Sequence, residues 1–212
     1  MKRTLQSALL LTILSFCTKN SSAQTFQDFF KPETNVTWLG IDFTDVKVMG
    51  HTDMELEDLA TRQFQGINEL VLAEPKKFDL PKAFHKESVA SDLSLVKAKN
   101  KGISDSQIKS DNDADLSRFS NATIDKMVKS YDFGSKKGIG VIFFMEGMSK
   151  KKERSYIWVT FIDMGSKKVL YTERMEEKVG GFGLRNYYAK SIYEALEDIE
   201  KKYKDWKKAN GG

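Results

Sequence analysis

The loop GGFGLRN at residues 180–186 is the stretch of this sequence whose residue types and spacing best suit ligand binding. It follows a predicted strand and opens a predicted helix, a context in which backbone N–H groups can hold a phosphate or another anion. Arg185 could add charge-assisted hydrogen bonds to such a ligand. The candidate binding residues are therefore Gly181, Gly183, Arg185 and Asn186.

A purely structural role for the same glycines is the favoured interpretation. A dinucleotide-binding fingerprint would follow the first strand of a βαβ unit and would carry a third glycine where Asn186 stands. This loop instead follows a series of predicted antiparallel strands, and glycine lets a chain turn sharply between a strand and a helix. The sequence predicts no cofactor, and a small-ligand or anion site at 181–186 stays as an alternative.

A second cluster of chemically active side chains, HTDME, occupies residues 51–55. An imidazole and two carboxylates so close together are ligands that a metal ion can use. Thr52 followed three residues later by Glu55 is also the pattern of a capping box, and the helix dipole favours carboxylates in a first turn. The only other histidine, His85, is distant in sequence. We therefore favour helix capping and predict no metal site.

An acidic stretch, DNDAD at residues 111–115, resembles the start of a calcium-binding loop. The complete pattern requires glycine at its sixth position and glutamate at its twelfth. Those positions hold Leu116 and Ala122, so the match fails. A solvated acidic loop is favoured, and weak calcium binding is the alternative.

The sequence contains no recognisable catalytic constellation. It has no Gly-x-Ser-x-Gly motif, no phosphate-binding loop of the Walker type and no cysteine–histidine pair. Asp42 and Asp163, each within an apolar strand, could form a carboxylate pair, and His51 could act as a base. Solvation of strand ends explains the two aspartates more simply. A non-enzymatic function is therefore favoured, and a hydrolase that uses these residues is the alternative.

The first 23 residues have the features of a secretory signal peptide. Lys2 and Arg3 precede an apolar run at 5–17, and small residues precede a predicted cleavage site after Ala23. The run is too short for a convincing transmembrane helix, so no transmembrane segment is predicted in the mature chain. Cleavage would remove three basic residues and no acidic one, which lowers the net charge from +4 to +1. This balance argues against nucleic-acid binding.

The single cysteine, Cys17, lies inside the apolar run and has two interpretations. It is either removed with the signal peptide, or it is the lipidated residue of a bacterial outer-membrane lipoprotein. Bulky Phe16 disfavours lipidation, because a small residue normally precedes the modified cysteine. The predicted location is therefore the periplasm or the secreted fraction, without a disulfide.

The elements that must position these residues follow residue 35. We predict an N-terminal leader at 24–35 and a single α/β (α+β) domain at 36–212. Hydrophobic periodicity predicts strands at 36–43 and 89–97, a helix that Thr52 caps, and a helix that Asn121 caps. Three antiparallel strands from Gly138 then form a meander, and a long helix closes the chain. The predicted fold is one mixed sheet of about five strands with about three packing helices.

Three C-terminal segments, GIGVIF at 138–143, WVTFID at 158–163 and GFGLRNYY at 181–188, resemble an uncharacterised family of secreted proteins from Gram-negative bacteria. The order of strands and helices is also similar, in topology alone, to the small α/β domains at the N-terminus of TolB and in CsgG-like envelope proteins. That similarity implies a periplasmic binding or assembly module and supplies no catalytic residue. We therefore expect a protein that binds another envelope component.

Overall fold

The computed structural model describes residues 24–211, so the predicted signal peptide and Cys17 lie outside the described residues. The strands are β1 (Val36–Asp42), β2 (Lys47–Met49), β3 (Ala90–Ser91), β4 (Ile139–Ser149), β5 (Arg154–Asp163) and β6 (Lys168–Lys178). The helices are α1 (Phe26–Phe29), α2 (Asp53–Asp58), α3 (Phe64–Ala73), α4 (Leu80–Phe84), α5 (Ser94–Asn100), α6 (Asp105–Ile108), α7 (Asn121–Lys129) and α8 (Leu184–Ala209). A π-helical segment, Leu59–Gln63, joins α2 to α3, and a 3₁₀ segment, Asp113–Ser117, precedes α7.

A mixed six-stranded sheet forms the centre of the fold, in the order β3-β1-β4-β5-β6, with β2 paired to β4 beyond the end of β1. Strand β1 runs parallel to β3 and β4, whereas β4, β5 and β6 are antiparallel neighbours. The predicted mixed α/β sheet and its C-terminal antiparallel meander are confirmed. Five strands form the main path of the sheet, and the sixth is the short β2, which pairs separately with β4.

Helices cover both faces of the sheet. Alternation along β5 places Phe161 and Trp158 on opposite faces. The Phe161 ring centroid lies 5.9 Å from that of Trp206 in α8, and Trp158 faces the segment that leads into α7. Every residue of β4 is buried, which explains the continuous apolar run of its sequence. Strand β1 is also buried on both faces, apart from half-buried Thr37.

The prediction of a strand over residues 89–97 is wrong. Only Ala90–Ser91 pairs with β1, and Ser94–Asn100 forms helix α5. Buried Leu93 and Val96 are three residues apart, which suits one face of a helix as well as a strand. The Asp92 carboxylate accepts a hydrogen bond from Ser94 N–H at 3.0 Å and supports the start of the helix.

The short β3 leaves much of one β1 edge without a strand partner. Two buried asparagines form hydrogen bonds with the backbone N–H and C=O groups of that edge. Asn68 of α3 accepts from Ile41 N–H at 2.7 Å and donates to the Ile41 carbonyl at 2.9 Å. Asn100 of α5 accepts from Phe43 N–H and donates to the same carbonyl, both at 2.9 Å. A Cβ at Gly40 would lie 2.7 Å from Asn68 Oδ1, so only glycine allows this approach.

Two sequence-based boundaries change in the structure. The segment predicted as a leader, 24–35, contains α1, and its Phe26, Phe29 and Phe30 are buried in the main core. Helix α7 is capped by Ser120, whose Oγ accepts from Thr123 N–H, and Asn121 is its first residue. The cap moves by one residue because the serine already has the extended backbone of a capping position.

A fully buried carboxylate, Glu146, lies at a bulge in the centre of β4. Arg174 Nε of β6 donates to its Oε2 at 2.7 Å, and Trp158 Nε1 donates to the same oxygen at 3.1 Å. Phe119 N–H donates to Oε1 at 2.5 Å, and the Arg174 guanidinium also donates to the Leu116 carbonyl. The network therefore fastens the segment before α7 to the sheet.

A second buried carboxylate, Glu177, lies on the β6 face that packs against α8. It pairs across the sheet with Ser155, whose hydroxyl is buried without a hydrogen-bond partner. Burial, followed by the nearby Asp198 and Glu194 of α8, raises the pKa of Glu177 to about 7; two α8 lysines, Lys202 and Lys201, oppose the shift. Folding therefore favours the protonated form of Glu177.

The Glu177→Gln variant should raise the free energy of unfolding by about 2 kcal/mol above pH 7 and change it little at about pH 4. The folded-state pKa of about 7 exceeds the ordinary 4.5, so the wild type loses stability as the pH rises between those two values. Urea unfolding across this range measures the effect, with the exposed neighbour Glu176→Gln as the matched control. Parallel pH profiles for wild type and Glu177→Gln would contradict the prediction.

Candidate functional site at the strand-to-helix corner

The corner loop, residues 180–183, joins the edge strand β6 to helix α8. Gly181 and Gly183 have φ angles of 113° and 78°, which side chains with a Cβ rarely adopt. Gly180 N–H donates to the Tyr187 carbonyl at 2.9 Å and ties the loop to the first turn of α8. Phe182 stands between the glycines with 95% of its surface exposed. The predicted tight corner is confirmed, and it presents an aromatic ring to solvent.

The four predicted binding residues lie together at this corner. Gly183 is the N-cap of α8 and provides no side-chain cap. Arg185 is exposed, and its aliphatic stem passes so close to α3 that a Cβ at Gly66 would lie 3.1 Å from Arg185 Cδ. Asn186 is exposed, and its backbone lies against Gly181. The geometry therefore places two polar side chains beside the exposed ring of Phe182.

A cleft of ≈ 400 Å³ separates the corner loop from the long helix that contains the π-helical segment. Phe182, Arg185 and Asn186 form one wall, and Arg62, Gln63 and Gly66 contribute from the other side. π-helical turns occur often at functional sites, and this one brings Arg62 and Gln63 to the cleft. Apart from the Phe182 ring and Leu184, the walls are mainly polar or glycine.

A smaller pocket of ≈ 240 Å³ on the other side of the loop contains the histidine of the HTDME cluster. His51 Nε2 lies 2.5 Å from the Tyr188 hydroxyl, and its Nδ1 lies 3.2 Å from Glu55 Oε2. Burial lowers the pKa of His51. A hydrogen bond from Thr52 N–H, followed by one from Lys150, lowers the pKa of Glu55 to about 2. The imidazole therefore contacts α8 through Tyr188, whereas its Nδ1 makes no hydrogen bond within residues 24–211.

The capping interpretation of this cluster is confirmed. Thr52 Oγ1 accepts from Glu55 N–H at 3.3 Å, and Glu55 Oε2 accepts from Thr52 N–H at 2.9 Å. Asp53 forms an ion pair with Lys109 at 2.7 Å. Across residues 24–211, no three histidine, cysteine, aspartate or glutamate side chains converge as a metal site would require.

The two aspartates proposed as a catalytic pair do not face each other. Asp42 pairs with Phe144 of β4, whereas Asp163 pairs with Ile139, about 16 Å away along the strand. Asp42 is buried and accepts a hydrogen bond from the Tyr131 hydroxyl at 2.5 Å. Asp163 accepts from Gln24, Gly165 and Ser166. Both carboxylates therefore have local structural roles, and His51 lies in a different part of the fold.

The acidic stretch at 111–115 is held by protein contacts. Asp115 Oδ2 accepts from the Ser110 hydroxyl at 2.6 Å, and Asp113 pairs with Lys152 at 2.9 Å. Asn112 accepts from Ala114 N–H and caps the 3₁₀ segment. These contacts anchor the segment against the sheet end, next to the β4–β5 turn.

The end of the sheet that carries the corner loop is rich in cations. The β4–β5 turn, residues 150–153, adjoins the loop, since Val179 N–H donates to the Glu153 carbonyl at 3.3 Å. Four cations here pair with carboxylates: Lys150 with Glu55, Lys152 with Asp113, Arg154 with Glu176, and Arg62 with Asp58. Within the described chain, three exposed cations at this end have no carboxylate at ion-pair distance: Lys151, Lys178 and Arg185.

Sequence reasoning identified the loop and missed its most exposed group. Phe182 is the most exposed large apolar side chain among residues 24–211. Its position between glycines was visible in the sequence, but its exposure depends on how the loop leaves the sheet. Lys151 was also missed, because its proximity to the loop follows from the β5–β6 register.

No protein-family model, curated protein or solved structure matches this chain.

Proposed function

We propose that this protein is a non-enzymatic binding module of the cell envelope, which contacts its partner through the corner loop. The observation that carries the proposal is the 95% exposure of Phe182 on a loop tied to α8. An aromatic ring in water does not contribute to the core, and aromatic residues commonly anchor interfaces. The predicted signal peptide supports a periplasmic or secreted location.

The other candidate residues support binding of a partner and not catalysis of a reaction. The His51 side chain is fully buried and its Nε2 contacts the Tyr188 hydroxyl, so the imidazole is not exposed to solvent. Asp42 and Asp163 lie at separate positions along the sheet. Arg185 and Asn186 remain available beside Phe182 to orient a partner by hydrogen bonding.

A photo-crosslinking amino acid at position 182 should form adducts with an envelope component in intact cells, because the ring it replaces is the proposed contact. The same amino acid at position 208, in the last turn of α8, is the matched control and should form few adducts. Gel analysis detects protein adducts, and mass spectrometry detects lipid adducts. Absence of any adduct specific to position 182 would overturn the proposal that the corner loop is the contact, and turnover in a substrate screen would overturn the non-enzymatic part of the proposal.

A further inference from the structure

We propose that the partner of the corner loop is an anionic lipid surface, which Phe182 enters while Lys151, Lys178 and Arg185 contact the lipid phosphates. This inference rests on the proposed function of the corner loop. Such a partner is an apolar medium that lies directly below a layer of negative charge.

The shape of the corner favours a membrane over a protein groove as the partner. The apolar group is convex: one ring on a glycine-flanked loop, nearly fully exposed. The concave surface beside it is mainly polar, with Arg62, Gln63 and Asn186 in its walls. The apolar-lined pocket on the other side of the loop is only ≈ 240 Å³ and contains His51, Glu55 and Lys150, so it has little room for the apolar face of a peptide. A bilayer interface supplies the apolar medium for an aromatic ring that projects from the protein.

The charge around the loop matches an anionic surface. Lys178 precedes the loop in sequence, Arg185 follows it, and Lys151 is in the adjoining β4–β5 turn. Glu153 is the one carboxylate of that turn, so the unpaired groups retain a positive excess. Long basic side chains can lay their stems along an apolar boundary while their charged ends reach phosphate groups.

The expected binding is weak and reversible. Among residues 24–211, no helix has the length and apolarity needed to cross a bilayer. One inserted aromatic ring with three cations gives a partition constant on the order of 10⁴ M⁻¹, comparable to a single myristoyl chain. Binding should therefore be detectable at millimolar lipid and should weaken as salt rises.

The test uses residues 24–212 and vesicles of equal parts phosphatidylglycerol and phosphatidylcholine, compared with pure phosphatidylcholine. The wild type should co-sediment with the anionic vesicles about tenfold more strongly than with the neutral ones. Phe182→Ser should weaken that binding about tenfold, and Phe182→Leu should retain most of it. The Phe182→Trp variant should shift its fluorescence to shorter wavelength when anionic vesicles are added, because the introduced indole leaves water.

Charge variants show whether vesicle binding depends on the cations beside the corner loop or only on the net charge of the protein. The double variant Lys151→Gln/Lys178→Gln should bind the anionic vesicles about tenfold more weakly and depend less on salt. The matched control Lys207→Gln/Lys208→Gln removes the same charge from the opposite end of α8 and should bind as the wild type does. Equal losses in both double variants would overturn the inference.

The remaining outcomes distinguish this inference from the proposed function. Equal binding to neutral vesicles, or an unshifted emission from the Phe182→Trp variant, overturns the lipid inference. Thermal stabilisation by inorganic phosphate that Arg185→Ala abolishes, without vesicle binding, overturns it in favour of a small-anion site. Protein adducts at position 182 without vesicle binding overturn the lipid inference and leave the proposed function standing. Absence of both adducts and vesicle binding overturns both.

Discussion

Replacing Arg174 with methionine should lower the free energy of unfolding by about 4 kcal/mol. The Glu146 side chain is fully buried, and Arg174 is its cationic partner at 2.7 Å. Without the guanidinium, the carboxylate keeps only the hydrogen bonds from Trp158 Nε1 and Phe119 N–H. An unpaired buried charge costs far more than the net contribution of the intact pair, because its desolvation is no longer offset.

Urea unfolding at neutral pH measures this effect, and Arg154→Met is the matched control. Arg154 is also a strand arginine, but its carboxylate partner Glu176 is half exposed and lies 3.6 Å away, so its loss should cost less than about 1 kcal/mol. The double variant Glu146→Gln/Arg174→Met should recover at least half of the loss, since a neutral amide still accepts from Trp158. A small effect of Arg174→Met, or no recovery in the double variant, would contradict this account.

Asn68→Ala should lower the free energy of unfolding by about 3 kcal/mol. The variant leaves Ile41 N–H buried without an acceptor and removes one of the two donors to the Ile41 carbonyl. Burying an unpaired backbone group costs about 1–3 kcal/mol, and the lost side chain leaves a void next to Gly40.

Amide hydrogen exchange provides a local measurement of the same effect. In Asn68→Ala, the Ile41 amide should lose protection relative to its neighbours in β1, beyond the global change in stability. Gln65→Ala on the exposed side of the same helix removes only a surface hydrogen bond to Glu69 and should change stability little. Full retention of Ile41 protection in Asn68→Ala would show that the Ile41 N–H group has another hydrogen-bond acceptor.

The C-terminal half of the fold was predictable because its local signals agree with its tertiary structure. The apolar run of β4, the short turns and the periodicity of α8 each specify one element, and the structure contains all of them. The failure at 89–97 has a clear physical origin. Apolar residues spaced by three or four fit a helix as well as a strand. The backbone N–H groups at this edge of the sheet donate to Asn68 and Asn100 and not to a longer strand.

The site was predictable only in part. Residues 181–186 do form a tight corner, as their glycines indicated, and Arg185 and Asn186 are exposed there. The exposure of Phe182 could not be deduced, because aromatic residues are usually buried and no local pattern marks an exception. The glutamate inside the apolar run of β4 was a visible signal for a buried charge, but its partner Arg174 lies 28 residues away and depends on the register.

The contacts of Gln24 determine which positions suit a fusion or a surface attachment. Gln24 N–H donates to Asp163 at 3.3 Å, and Gly211 lies against Gln27, so both ends of the described chain meet at one pole. The corner loop occupies the other pole, about 35 Å away along β4 and at the far end of α8. A fusion or surface attachment through residue 24 or residue 211 would therefore leave Phe182 facing outward, whereas an insertion in the β4–β5 turn would obstruct it.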